Sequence, residues 1–122
     1  MQPQLRGALA EVIVATRDDP AYGLHLMVGG GGGTVETDAD VAWTRMPVSP
    51  SNAEQLLLRT KVGRRLAAKA PAKLEAGALP AIVAAIAALA EESRDSVTEI
   101  EVNPLIVTAK GAVAVDAVVT LR

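Results

Sequence analysis

Residues 98–121, TEIEVNPLIVTAKGAVAVDAVVTL, decide the fold. Apolar and β-branched residues dominate, and Lys110-Gly111 interrupts them. That is the pattern of two strands around a turn, Thr98 to Val107 and Ala112 to Leu121. Side chains alternate along a strand, so Glu99, Glu101 and Asn103 share one face, and Ile100, Val102 and Ile106 the other. A four-residue loop over Thr108 to Gly111 pairs Val107 with Ala112 and sets Asn103 opposite Asp116. The second strand then adds Ala112, Ala114 and Asp116 to the acidic face. Val113, Val115, Val119 and Leu121 join an apolar face expected to pack on helices. A two-residue turn would instead set Asp116 opposite Leu105.

Upstream, Leu9 to Thr16 and Leu24 to Val28 read as strands around a turn at Asp18-Asp19-Pro20-Ala21-Tyr22-Gly23. Five glycines, Gly29 to Gly33, follow. Thr34 to Glu36 and Asp40 to Met46 read as short strands joined at Thr37-Asp38-Ala39. The class then changes. Ser51 and Glu54 have capping-box spacing, so a helix is expected from Pro50 to about Thr60. Pro80 suits the first turn of a second helix, to about Glu92. Leu79, Ile82, Val83, Ile86 and Leu89 form its apolar stripe, and Ala81, Ala84, Ala85 and Ala88 leave its other side open to close approach. Strands, helices and a closing hairpin predict an α+β fold, a mostly antiparallel sheet with two main helices packed on one face.

The 122 residues bound this to a single domain, 1–122. Half the residues are apolar, 21% are charged and the net charge is −2, which gives no general attraction to nucleic acid. The chain has no cysteine, which excludes disulfides, thiolate metal sites and a cysteine nucleophile. The lone His25 excludes a histidine cluster, and its place between Leu24 and Leu26 suits a packed or edge position. Trp43 and Tyr22 are the only large aromatics, with 23 alanines in their place, so the core is expected to be thin or to borrow a partner's surface. The N-terminus lacks a signal pattern, and the longest apolar run, Ala78 to Ala90, is too short and too alanine-rich to span a bilayer. A cytoplasmic protein is the expectation. Arg59, Lys61, Arg64, Arg65, Lys69 and Lys73 are half of the basic residues, with no acid among them. They read as a solvated face, since no aromatic interleaves for base stacking. Ser51 reads as a cap, and Glu91, Glu92, Arg94 and Asp95 as a solvated helix end.

The candidate chemistry lies on the hairpin. Glu101, Asn103 and Asp116 come together beside two alanines that leave room for a ligand. Hard cations take carboxylate and amide oxygens, and Mg²⁺ uses one or two of them with substrate phosphates. The spacing suits a nucleotide-bound metal, and it equally suits a solvated strand face. Gly29 to Gly33 could bring backbone close to a phosphate or simply form a turn, and no Gly-Lys-Ser/Thr follows it.

The run Glu101-Val102-Asn103-Pro104-Leu105-Ile106-Val107, then Gly111 and Ala114-Val115-Asp116-Ala117, resembles the closing signature of the ATP-grasp domain of ADP-forming acyl-CoA synthetases. It is also similar to the β subunit of succinyl-CoA synthetase. Glu11-Val12-Ile13-Val14, Arg17-Asp18, Tyr22-Gly23, the glycine run, Val35-Glu36, Asp40-Val41 and Arg45-Met46-Pro47 fall in the family's order. The resemblance implies the C-terminal lobe of a two-lobed nucleotide site, with the N-terminal lobe absent. It implies Asn103 and Asp116 as Mg²⁺ ligands and Glu101 as a catalytic acid where a phosphohistidine is handled. It implies Glu11 toward the ribose of ATP or ADP, although Ala8 and Ala10 replace the family's glycines there. The family's Arg-Gly near Lys69-Ala70 is also missing. The implied partners are the N-terminal lobe, a CoA-binding and phosphohistidine domain or subunit, CoA and a carboxylic acid, within an oligomer. Neither nucleic acid nor membrane is implied, and the chain alone is expected to be inactive. The rival reading is a non-catalytic regulatory or assembly module fused to a lysine acetyltransferase, docking through the alanine face of the Leu79 to Glu92 helix.

Overall fold

A computed structural model describes residues 8–31, 40–72 and 78–122. The expected Thr34 to Glu36 strand, the Thr37-Asp38-Ala39 turn, Gly32, Gly33 and Lys73 lie outside them. Strands β1 (Ala8–Asp19), β2 (Gly23–Gly30) and β3 (Val41–Arg45) come first. Helices α1 (Pro50–Leu58), α2 (Lys61–Lys69) and α3 (Ala78–Glu92) follow, then β4 (Val97–Thr108), β5 (Gly111–Ala114) and β6 (Ala117–Leu121). The strands form one antiparallel sheet in the order β3-β2-β1-β4-β5, with β6 also paired to β4. The α+β class is as expected.

One face of this sheet is dry. Val12 and Val14 of β1, Leu26 and Val28 of β2, and Val102, Leu105 and Val107 of β4 pack against Ala53, Leu56, Leu57, Leu66, Leu79, Val83 and Ala87 of the helices. The core contains no aromatic ring. Close-packed valine, leucine and alanine let helices sit near the strands, at the expense of apolar area per residue.

The helices depart from expectation in three places. Helix α1 is capped by Ser49, not Ser51: Ser49 Oγ accepts from Asn52 N–H at 3.1 Å, and Asn52 Oδ1 accepts from Ser49 N–H at 3.2 Å. Pro50 then takes the first helical position, where its missing N–H costs nothing. The basic stretch is a third helix, as its lysines, arginines and alanines favour, with Leu66 turned into the core. On α3, Leu79 and Val83 are buried, and Ile82 and Ile86 half-buried, as the stripe predicts. Leu89 is 52% exposed and Ala84, Ala87 and Ala90 are buried instead. Ala81, Ala85 and Ala88 remain open to solvent.

Asp40 ties the sheet to α2. Its carbonyl accepts from Gly30 N–H at 3.0 Å. Its carboxylate accepts from Lys61 N–H at 2.6 Å and Val62 N–H at 3.0 Å, next to the Thr60 cap. A side chain at Gly29 would overlap the Asp40 carbonyl oxygen, so this part of the glycine run serves close backbone packing. The α2 N-terminus, a natural anion site, is thus filled from within the chain. The buried Thr60 hydroxyl donates to the Leu57 carbonyl at 2.6 Å and accepts from Gly63 N–H at 3.0 Å.

Replacing Asp40 by alanine frees two helix-start N–H groups and is expected to cost about 1 kcal/mol in urea unfolding. A methyl at Gly63 would overlap the Leu57 carbonyl, which is backbone and cannot rotate away. Gly63→Ala is therefore expected to cost about 3 kcal/mol, measured the same way. In the β1–β2 turn, Asp19 Oδ1 accepts from Tyr22 and Ala21 N–H, which holds its carboxyl below the ordinary 3.8. A depressed carboxylate pKa adds stability above the unfolded value and loses it as pH falls through the folded one. An NMR titration of Asp19 is expected to show a midpoint below 3.8. Asp19→Asn is expected to remove that part of the acid sensitivity.

Candidate functional site

The second face of the sheet carries no helix of the described residues, and pairing registers fix what stands on it. Glu101 lies opposite Ala15, Ala15 opposite Met27, and Met27 opposite Trp43. One step along, Glu99 lies opposite Arg17, Arg17 opposite His25, and His25 opposite Arg45. Arg17 Nε and Glu99 Oε1 form an ion pair at 3.2 Å. In the other direction Glu11 lies opposite Ile106, and the Glu11 carbonyl accepts from Gly31 N–H at 2.8 Å.

Between these rows the sheet slips. Val12 pairs with Leu105 and Val14 with Val102, so β1 spends one residue where β4 spends two, Asn103 and Pro104. Pro104 has no N–H to give to the ladder and fits such a bulge. The slip reverses the alternation beyond it. Leu105 and Val107 join Val102 on the helix side, as does Ala112, while Ile106 turns to the open face with Val113. Ala114, opposite Leu105, also stands on the helix side, so the expected sides of Ile106, Ala112, Val113 and Ala114 are corrected and the two alanines do not flank the acidic face.

The expected continuous strand from Ala112 to Leu121 is also interrupted, at Val115-Asp116. Thr108 and Gly111 pair directly, so the turn holds only Ala109 and Lys110, yet Val107 still meets Ala112. The same register continues as Val102 opposite Ala117. Asn103 therefore meets Asp116 in the gap: Asn103 N–H donates to the Asp116 carbonyl at 3.0 Å, and Val115 N–H to the Pro104 carbonyl at 3.0 Å. Both residues are exposed at this break. Glu101 lies two residues from Asn103, about 7 Å away along the strand. Glu11 and Glu101 thus stand on the open face on opposite sides of the bulge, and Asn103 and Asp116 lie exposed at the bulge between them.

No group of three or more His, Asp or Glu side chains among the described residues could hold a metal ion alone. A cation at this gap would draw on the Asn103 amide oxygen and the Asp116 carboxylate, both hard donors, and on the oxygens of a ligand. That donor set fits Mg²⁺ carried on phosphates. Sequence reading missed the Arg17, Tyr22, Met27, Trp43 and Glu99 surroundings. Their signal was available in part, since Arg17 and Glu99 continue the alternation from Ala15 and Glu101. The pairing of β2 and β3 that brings Trp43 alongside was not.

Comparison with known proteins follows the same lines. Residues 1–121 match the model of an ATP-grasp domain family. The chain is 32% identical over 117 residues to the ADP-forming acetate–CoA ligase II subunit beta of Pyrococcus furiosus, covering 92% of this chain and 49% of that one. It is 32% identical over 117 residues to the ADP-forming acetate–CoA ligase II of Archaeoglobus fulgidus, covering 96% of this chain and 17% of that one. A solved protein of Pyrococcus horikoshii has TM-score 0.83 and 29% identity over 98% of this chain and 51% of its own. The acetyl-coenzyme A synthetase 1 of Ca. Korarchaeum cryptofilum was solved with coenzyme A and Mg-AMPPCP, its phosphohistidine segment pointing towards the nucleotide-binding site. It matches with TM-score 0.77 and 28% identity, over 93% of this chain and 53% of its own. The chain thus spans about half the length of most of these relatives, and less of one. From its first residue to its last but one, this chain belongs to the ATP-grasp domain family.

Proposed function

We propose that the chain is the C-terminal, nucleotide-binding lobe of an ADP-forming acyl-CoA synthetase. The observation that carries this is the backbone pairing of Asn103 with Asp116, which sets two exposed residues with hard-donor side chains next to each other in a gap of the sheet. In this reading an N-terminal lobe closes over the open face, and a CoA-binding, phosphohistidine-bearing domain or subunit completes the enzyme. ATP or ADP lies between the lobes, and CoA and a carboxylic acid are the other substrates.

The chain's residues divide the work by position. Asn103 and Asp116 hold Mg²⁺ through the amide oxygen and the carboxylate. When bound, the cation neutralises charge on the nucleotide's phosphates, which is most of what phosphoryl transfer asks of its catalyst. Glu11 accepts hydrogen bonds from the ribose hydroxyls. Glu101, on the opposite side of the bulge from Glu11, accepts a hydrogen bond from the incoming imidazole and orients it. The nucleotide therefore runs along the sheet, with the phosphoryl acceptor arriving on the Glu101 side. The half of the phosphate charge that the other lobe supplies is not in this chain, so the lobe alone does not turn over ATP. Among the described residues no helix is long and apolar enough to cross a membrane.

Mn²⁺–ATP, a paramagnetic stand-in, is expected to broaden the amide signals of Asn103 and Asp116 before others, and Asp116→Ala to abolish that selectivity. In an enzyme that carries both lobes, Asp116→Ala is expected to lower turnover about 100-fold. Unchanged turnover would show the assignment wrong.

A further inference from the structure

Strand β6 has an edge that the fold leaves open. It pairs with β4 on one side, and among the described residues no strand lies on the other. Hydrogen bonds at its two ends fix which way its backbone faces. The Asp116 carbonyl accepts from Asn103 N–H, and Arg122 N–H donates to the Ser96 carbonyl at 2.9 Å, so both residues turn toward β4. Successive residues of a strand turn their N–H and C=O to opposite sides. Val118 and Thr120 therefore also face β4, and Ala117, Val119 and Leu121 present their backbone groups outward.

Edges of this kind are normally blunted by lysine, proline or inward charge. From Ala112 to Leu121 there is no lysine, arginine or proline, and Asp116 is the only charged residue. The strand is apolar on both faces. Ala117 lies opposite Val102 and Val119 opposite Ile100, both core residues, so they stand on the helix side, as does Leu121 by alternation. The helices do not cover them there: Val119 is 52% exposed and Leu121 73%. Val118, opposite Glu101 on the open face, is 54% exposed.

We propose that this edge joins a second copy of the same chain: two β6 strands pair antiparallel about a two-fold axis at Val119 and make one sheet continuous through both copies. The sequence of the strand is complementary to itself in that register. Val119 meets Val119 of the second copy, Ala117 meets Leu121 and Val118 meets Thr120. Every outward N–H and C=O then has a partner. A small side chain faces a large one, and β-branched side chains face each other. Charge agrees as well. Asp116 stands opposite Arg122 at both ends, so unlike charges look across the axis. A slip of two residues, the smallest that keeps the hydrogen-bond pattern, parts both the charges and the Ala117–Leu121 match. The contact lies at the edge, so it leaves the open face of each copy uncovered and is independent of the nucleotide reading.

Sedimentation equilibrium of the 122-residue chain is expected to show monomer and dimer in exchange. Val119→Lys sets like charges against each other at the axis and is expected to weaken the dimer at least about tenfold, with the circular dichroism spectrum unchanged. Val119 is exposed, so the folded chain accommodates the lysine. The register has a separate readout that does not depend on that variant. The chain has no cysteine, so an introduced one reports only its own contacts. Val119→Cys is expected to form a disulfide-linked dimer under mild oxidation, since hydrogen-bonded residues directly opposite have Cα atoms about 5.5 Å apart. Ala117→Cys mixed with Leu121→Cys is expected to cross-link faster than either variant alone. Tyr22→Cys, exposed but away from this edge, is expected to stay uncross-linked. A chain that remains monomeric at about 1 mM overturns the proposal. So does association that Val119→Lys leaves unchanged, or cross-linking that does not favour Val119→Cys over Tyr22→Cys.

Discussion

The hydrogen bond from Asn103 N–H to the Asp116 carbonyl holds the site together. β4 is paired along one side by β1 and along the other by β5 and then β6. At the bulge, β1 and β4 fall out of step by one residue. The outer strand breaks at the same level, and the hydrogen bonds of Asn103 and Val115 bridge the break without losing register. A ladder without this gap would keep ordinary strand neighbours at these positions. With it, an amide and a carboxylate stand together while the sheet on both sides stays intact. The Asn103–Asp116 pairing is thus a local irregularity clamped between two regular ladders, which is how a sheet can be rigid and still present unusual side chains.

Everything else follows from the sheet having two unlike faces. The helix side takes the valines and leucines and is closed by α1, α2 and α3. The open side takes Glu11, Arg17, Glu99, Glu101 and the aromatic rings. Asp18 joins the distal ends, pairing with Arg122 at 2.6 Å and Arg94 at 3.7 Å, so the end of the chain is tied to β1 and to the turn after α3. That clamp sits beside the row containing Arg17 and Glu99 and keeps β6 against a sheet whose outer strand has few buried contacts. All five residues of β6 are exposed, and Leu121 is 73% exposed. A fold built this way packs helices on one face only.

Much of this was legible in the sequence, for identifiable reasons. The strands of the closing hairpin alternate strongly, and the pairing of Asn103 with Asp116 came from counting outward from Lys110-Gly111. The count survived a tighter turn than expected because Thr108 and Gly111 themselves pair. What alternation cannot supply is a change of phase. Ile106 was placed with Ile100 and Val102, but the residue that β4 inserts at the bulge moves Leu105 and Val107 to the core in its place. Capping patterns have a similar weakness. Ser49-Asn52 and Ser51-Glu54 both satisfy the spacing, and Pro50, which prefers the first helical position, decides between them. The solvated reading of the basic stretch holds for Arg59, Lys61, Arg64, Arg65 and Lys69 and is silent on Leu66, the apolar residue that seats this helix on the core.

The aromatics show why a site can be half legible. Nothing near Trp43 or Tyr22 in the sequence marks them as neighbours, and they meet only because β3 pairs β2 in one register. Yet their scarcity was visible from the start, and scarcity has a physical meaning. A chain this poor in large apolar side chains gains most from placing any it has in the core, where each would stabilise the fold by about 2 kcal/mol. Keeping both at the surface, with Tyr22 tilted against Trp43 and His25 meeting Trp43 in a T-shaped contact, forgoes that gain. The forgone stability is comparable to what one well-packed aromatic contributes to a protein interface. The same rings placed inward would stabilise this fold; on the open face, with Trp43 in the row of Glu101, they leave that stabilisation unused.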